Sequence, residues 1–373
     1  MKIEPFGVEL WMNEWETKCQ WNLAETCVES ITVEELLRLT GTEKSELNKL
    51  LSMKMTYGSI EGSDRLRNSV AATYDHQTKD NVIITHGTIG ANMLAHKTLV
   101  SSGDRVVAVV PTYQQHYSIP SSIGAEVHQL TLSDNDGWLP DLNKLRKLVS
   151  PGTRLLALNN PNNPTGALMD RSFLEEVVEI AREANAWLLC DEVYRGTDQT
   201  GMGSTVSIAD LYEKGISTAS VSKAYSLAGL RLGWIVGSQE FIEEVVIHRD
   251  YDTISVGMIN GHFASIALEH SNVLLERSQN ITRNNLAVLE SWVEQEPLIS
   301  WVKPNSGTTA LLKYDLLTSS RELCVELLKN TGVMLTPGSA LGMEGYLRIG
   351  YANNPSILKE GLAQFSEFLL NKA

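Results

Sequence analysis

Between residues 82 and 236 the chain alternates short, near-continuous apolar runs with segments that read as helices, and this alternation constrains the fold more than any other feature. Val82 to Thr85, Arg105 to Pro111, Glu126 to Leu132, Thr153 to Asn159, Ala186 to Cys190 and Thr218 to Ser222 each read as a strand, and Leu230 to Val236 is a further strand-like run. Between them, Gly87 opens a turn into a small-residue helix from Ala91 to Val100, and Asp170 caps a helix whose apolar positions Phe173, Leu174, Val177, Val178 and Ala181 recur at helical spacing. Strands that are apolar throughout must be covered on both faces, so the pattern predicts an α/β fold with a mainly parallel sheet between helices. In such sheets ligands bind outside the carboxyl ends of the strands. The informative residues are therefore the ones that follow each strand.

Several of these suit one chemistry. Lys223 follows Ser220-Val-Ser at a strand end, where its flexible arm can reach a carbonyl and form a Schiff base. Arg231 lies eight residues on and brings a permanent cation suited to a phosphate. Lysine for an aldehyde and arginine for a phosphate together suggest pyridoxal phosphate, although a lone lysine in such a place is ordinarily a solvated loop residue. His86 to Ala91 is a glycine turn into a helix N-terminus, where free backbone N–H groups can bind an anion. Asn159 to Gly166 packs turn formers so densely that the backbone is held rigid and an asparagine amide is presented. Asp191 ends a buried strand and is costly there unless paired; a protonated pyridine nitrogen or a set of backbone N–H groups would serve equally.

Outside this region the pattern changes. Residues 1 to about 30 hold Trp11, Trp15 and Trp21 and read as an arm that packs its aromatics on a neighbouring domain or subunit. Glu34 to Gly41 reads as a short helix ended by glycine, residues 55 to 62 as a loop, and Asp64 to Tyr74 as helical. Glu269 to Trp292 reads as one long helix leading away from the large domain. A smaller α+β region follows, with a strand over Asn305 to Tyr314, a helix over Leu323 to Asn330 stopped by Gly332, and a strand over Tyr346 to Gly350 that carries Arg348 at its centre. The expected division is an N-terminal arm with part of the small domain at 1–45, a large cofactor-binding domain at 46–275 and a small C-terminal domain at 276–373.

The formal net charge of −14 argues against nucleic acid and anionic membranes as partners. No apolar stretch is long enough to span a bilayer, and the N-terminus lacks the apolar core of a secretory signal. Cys19, Cys27, Cys190 and Cys324 are scattered, which indicates neither a zinc site nor a disulfide framework and suits a cytoplasmic protein with reduced thiols.

Taken in order, Tyr57 and Gly62, Gly87-Thr88, Asn160-Pro-Asn-Asn-Pro-Thr-Gly166, Asp191-x-x-Tyr194, Ser220-x-Ser-Lys223, Arg231 and Arg348 resemble the class I/II aminotransferases, pyridoxal-phosphate enzymes of fold type I. The resemblance covers nearly the whole chain. It implies that Lys223 forms the internal aldimine and then moves the substrate proton, and that Asp191 keeps the pyridine nitrogen protonated. It also implies that Asn163 and Tyr194 hydrogen-bond the ring oxygen and that Tyr113 stacks on the ring. Gly87, Thr88, Ile89, Ser220, Ser222 and Arg231 would hold the phosphate. Arg348 would fork onto the substrate carboxylate, with Asn163 beside it. Tyr57 would reach the partner's phosphate in a homodimer.

One stretch departs from the family pattern. Where many members carry a glycine near the substrate carboxylate, this chain reads Asn22-Leu-Ala-Glu-Thr-Cys27. Glu25 is therefore expected either to face the substrate and favour a cationic side chain, or to be an ordinary interdomain carboxylate. The leading expectation for function is amino transfer between an L-amino acid and a 2-oxo acid. The alternatives are β- or γ-elimination or cyclisation on the same site and, remotely, a ligand-sensing domain without turnover.

Overall fold

The computed structural model describes residues 2–42, 45–201 and 204–372. Seven strands form the central sheet: β1 (Val82–Thr85), β2 (Arg105–Val110), β3 (Glu126–Thr131), β4 (Thr153–Asn159), β5 (Trp187–Asp191), β6 (Gly215–Ser220) and β7 (Gly233–Val236). Their spatial order is β1-β7-β6-β5-β4-β2-β3. The pairings from β3 through β6 are parallel, whereas β7 is antiparallel to both β6 and β1. Six strands thus share one direction and only β7 is reversed. All but one residue of β2 and β5 are buried, and β1, β6 and β7 are buried throughout, as helices on both faces require.

The boundaries shift where polar residues or turns compete with the apolar pattern. β6 begins at Gly215 and ends at Ser220, not at Ser222. Ser217, ahead of the expected start, and Thr218, at that start, are polar residues within it. They are buried because Ser217 donates to Glu192 and Thr218 donates to Asn92. The expected strand from Leu230 shortens to β7 because Ala228–Leu230 forms a 3-10 turn and Arg231 takes a left-handed φ of 51°. The long helix expected over Glu269 to Trp292 is Ser271–Val293, and a separate helix, Met258–Glu269, precedes it and is divided from it at His270 with φ −118°. Helices Gly7–Trp15, Gln115–Ile123 and Leu142–Leu148 were not expected; the second carries Pro120, which reads as a breaker in sequence.

A second sheet holds Thr336–Pro337, Tyr346–Gly350, Thr309–Tyr314 and Ile299–Trp301 in that order, all antiparallel. The expected strand over Asn305 to Tyr314 starts only at Thr309, because Gly307 turns the chain with φ 82°. Helix Ser320–Thr331 has a complete start and stop: a Ser319–Glu322 capping box and Gly332 in the left-handed region. Trp11 and Leu23 are fully buried in the core that this sheet forms with the C-terminal helix, and Trp11 Nε1 donates to Leu335 O at 2.9 Å. Full burial of such a side chain stabilises by about 1.5–3 kcal/mol. The N-terminal segment is thereby fastened to residues more than 320 positions away.

Candidate active site

The carboxyl ends of β1, β4, β5 and β6 meet at one edge of the sheet. Because β7 is reversed, it begins where its neighbours end: Gly233 lies opposite Ser220 and Thr85. Arg231, just ahead of β7, therefore reaches the same edge as Lys223, just beyond β6. Asp191 ends β5 in register with Asn159 at the end of β4.

A cavity of about 410 Å³ opens at this edge. Its lining includes Thr88, Ile89, Tyr113, Asn163, Asp191, Tyr194, Ser220, Ser222, Lys223, Arg231, Arg348 and Glu25. The structure thus brings together twelve of the fourteen residues singled out from sequence. Gly87 is not on the wall itself but supports it: a Cβ there would come within 3.0 Å of Arg231 Nη2. Tyr57 is 72% exposed and does not line this chain's cavity.

Asp191 is 3% exposed. Its Oδ1 accepts from Val193 N at 3.1 Å and its Oδ2 from Asn92 Nδ2 at 2.8 Å, with His116 Nε2 3.8 Å away. His116 in turn meets His96 at 3.3 Å. Asn163 Nδ2 donates to Tyr194 Oη at 3.1 Å, and Asn163 N donates to Asn159 Oδ1 at 2.6 Å, which fixes the turn that presents the amide. Lys223 Nζ donates to Thr26 Oγ1 at 2.6 Å and lies 3.3 Å from Cys27 Sγ. Burial disfavours the Lys223 ammonium, but Cys27, Tyr194 and Glu25 more than offset this and hold its pKa above the ordinary lysine value. Arg348 Nη2 donates to Ala24 O and to Thr336 Oγ1, both at 3.1 Å. Its Nε has no partner, and burial pulls its pKa below the ordinary arginine value.

Sequence reasoning missed the supporting shell. Asn92, His116 and His96 lie within or after the first βα unit with no motif to mark them. Glu9 and Glu16 of the unforeseen N-terminal helix region also line the cavity, and Glu9 accepts from Tyr113 Oη at 2.9 Å. Only the departure at residues 22 to 27 pointed toward Thr26 and Cys27.

The donor set fits pyridoxal phosphate. Thr88 Oγ1 is buried without a partner at a helix N-terminus, as a phosphate acceptor would require. Gly233 leaves the backbone of Gly87 and Thr88 bare: a Cβ there would fall 2.4 Å from Gly87 C and 2.7 Å from Thr88 N. A buried carboxylate, an unpaired guanidinium Nε and an amine complete the set.

Residues 44–364 match the family described as aminotransferase class I and II. The chain belongs to this family. It is 32% identical to capreomycidine synthase of Streptomyces vinaceus over 367 residues, which cover 97% of this chain and 93% of that protein. It is 28% identical to an aspartate aminotransferase of Pyrococcus horikoshii over 303 residues, covering 78% of this chain and 75% of that one. Among solved structures, a PLP-dependent aminotransferase from Streptococcus suis superposes with a TM-score of 0.97 at 41% identity over 100% of this chain and 99% of that chain. The PLP-dependent cyclase OrfR superposes with a TM-score of 0.92 at 25% identity, again over 100% and 99%. The fold is therefore fold type I, the cofactor of this aminotransferase is pyridoxal 5'-phosphate, and the enzyme is a PLP-dependent transaminase. Among the described residues no helix is long and apolar enough to cross a membrane.

Proposed function

We propose that Lys223 is the attachment point and proton carrier of a transaminase acting between an L-amino acid and a 2-oxo acid. When bound, the cofactor supplies an electron sink for the substrate's Cα. The observation that carries the reading is the convergence of Lys223, Asp191 and Arg348 on one cavity. Asp191, held by Asn92 and Val193, offers a fixed negative charge to the ring nitrogen. Asn163 and Tyr194, already paired with each other, present an amide and a phenol to the ring oxygen. Tyr113 would cover the ring, while Thr88, Ile89, Ser220, Ser222 and Arg231, on the same cavity wall, would hold the phosphate. Arg348 has a free Nε for the α-carboxylate. The Lys223 amine would move the proton at the substrate's Cα, and its short contact with Thr26 holds it on that side of the cavity.

Two further assignments belong to this reading. Tyr57 is exposed, as are the apolar side chains of Leu51 and Met55 near it in sequence, and we infer a homodimer in which Tyr57 reaches the partner's phosphate. Four unpaired cysteines support a cytoplasmic location.

The likeness to capreomycidine synthase and to the cyclase OrfR favours a second reading, in which the same carbanion chemistry ends in elimination or ring closure. Incubation with single amino acids separates the two. Transamination consumes one equivalent of amino acid per site and releases a 2-oxo acid, and turnover then needs an acceptor. Elimination or cyclisation turns over without one. Lys223→Ala is expected to abolish both; residual turnover in that variant would refute the role assigned to Lys223.

A further inference from the structure

The cavity carries more negative charge than amino-group chemistry uses. Four carboxylates line it, Glu9, Glu16, Glu25 and Asp191, against three cations, Lys223, Arg231 and Arg348. On the reading above, Asp191 answers the ring nitrogen, Arg231 the phosphate, Arg348 the substrate carboxylate and Lys223 the aldehyde. Glu9 and Glu16 are left over, and Glu25 has only a share of the Lys223 charge: burial raises its pKa, but Lys223 and the neighbouring N–H groups bring it below the ordinary value. None of the three forms a salt bridge with a lysine or arginine among the described residues. Glu9 accepts from the Tyr113 phenol at 2.9 Å. Glu25 accepts through Oε1 from the N–H groups of Thr26 and Cys27 at 2.7 and 2.8 Å, and the Cys27 thiol also bonds to its carboxylate. Glu16 caps the C-terminus of helix Gly7–Trp15 and stands exposed at the mouth of the cavity. An independent sign that a ligand sits here is Arg348: it is 3% exposed, lines the same cavity, and its Nε has no partner.

We propose that Glu9, Glu16 and Glu25 form a wall that selects an α-amino acid whose side chain ends in a cation, an amine or a guanidinium. The inference rests on the transaminase reading above and names its substrate class. The α-carboxylate is fixed on Arg348 and the α-amino group is drawn toward Lys223, so the side chain must extend along the remaining wall, where the three carboxylates are. A neutral side chain there would leave the three carboxylates with only Lys223 to offset them, and a second carboxylate would add to the negative charge. Burial first, and Glu25 and Glu9 after it, raise the Glu16 pKa against the opposing charge of Lys223, so a further cation beside it would favour its ionised form. The helix Gly7–Trp15 is well placed to hold this wall. It is anchored by buried Trp11, and its Gly7 N donates to Gln114 Oε1 at 2.8 Å.

Glu16 is the residue to change, because Glu9 supports Tyr113 and Glu25 supports a backbone turn. The holoenzyme is mixed rapidly with arginine or its neutral isostere citrulline, and with ornithine or norvaline, and the cofactor's absorbance change is followed. Wild type is expected to prefer each cationic member over its neutral partner by about a hundredfold in the second-order rate constant. Glu16→Gln should cut that ratio roughly tenfold, and Glu16→Lys should cut it further. The arginine and ornithine arms show whether a guanidinium or an ammonium is preferred. Binding is read separately by calorimetry with α-methylornithine and α-methylnorvaline, which lack the Cα proton and cannot react onward. The same charge preference, weakened in the same variants, is expected there. Ratios near one in wild type, or ratios that Glu16→Lys leaves unchanged, would overturn the proposal. If the holoenzyme reacts with no amino acid at all, the transaminase reading has failed, and the binding titration alone decides the charge preference.

Discussion

The Asn92 side chain donates to Asp191 Oδ2 at 2.8 Å while accepting from Thr218 Oγ1 at 2.6 Å. All three are buried, so the carboxylate is held from behind by a chain of hydrogen bonds that starts on the neighbouring strand. Replacing Asn92 by Leu keeps the volume but leaves one oxygen of Asp191 and the Thr218 hydroxyl without partners. An unsatisfied buried group costs about 1–3 kcal/mol, so kcat is expected to fall by roughly tenfold to a hundredfold. Steady-state kinetics alongside cofactor titration checks this. A variant that unfolds less cooperatively but keeps full kcat would show that Asn92 serves the fold and not the carboxylate.

Arg348 gives a different signature, because its role is toward substrate. Its Nη2 is occupied by Ala24 O and Thr336 Oγ1, and Nη1 approaches Asn163 Oδ1 at 3.4 Å. These contacts aim the guanidinium and leave Nε free. Arg348→Ala is expected to raise KM for amino acids by about a hundredfold, the usual loss when one partner of a buried charge pair is removed. Arg348→Lys should recover only part of this, since an ammonium keeps the charge but not the planar fork. A lysine variant with wild-type KM would rule out fork recognition.

Gly233 is a purely steric prediction. The atoms that a Cβ would meet are backbone: Gly87 C at 2.4 Å, Ala219 O at 2.7 Å and Thr88 N at 2.7 Å. No side chain can turn aside to make room. Gly233→Ala should push the start of β7 away from the Gly87–Thr88 turn, with an overpacking cost of about 1–3 kcal/mol. Pyridoxal phosphate affinity should fall at least about tenfold, and excess cofactor should restore part of the activity. Equilibrium dialysis of the cofactor measures the first effect; unchanged affinity would mean that the turn does not hold the phosphate.

Much of this was legible in the sequence because chemistry and periodicity coincide there. β1, β4 and the strand at Tyr346–Gly350 end where the apolar runs end, and the residues that follow β1, β4, β5 and β6 do converge. What the sequence hid falls into two kinds. Ser217 is polar yet central to the sheet, because its hydroxyl finds a partner on Glu192 that only the fold brings near. The helix Gly7–Trp15 is set by long-range contacts, with Trp11 bonded to Leu335, so local pattern could not place its acids in the cavity. Glu25 was visible as a departure, but its companions Glu9 and Glu16 were not.

His96 supplies a prediction about pH. It is fully buried, its Nδ1 has no partner, and its Nε2 lies 3.3 Å from His116. Burial first, and the neighbouring His116 second, hold its pKa well below the ordinary value of 6.5. In the unfolded chain the imidazole takes up a proton as pH falls through about 6.5, whereas in the folded protein it stays neutral. Below that pH the unfolded state therefore binds more protons, so the stabilising contribution is whole above 6.5 and drains away as pH drops. The slope approaches about 1.4 kcal/mol per pH unit for one such group. Chemical denaturation of wild type and His96→Asn at a series of pH values isolates it, since carboxylates and the other depressed histidines, His86 and His262, contribute equally to both proteins. The difference between the two curves should be flat above pH 6.5 and should shift in favour of the variant as pH falls toward 5. A difference that stays constant through this range would mean that His96 is protonated inside the fold, and that the charge environment behind Asp191 differs from the one described here.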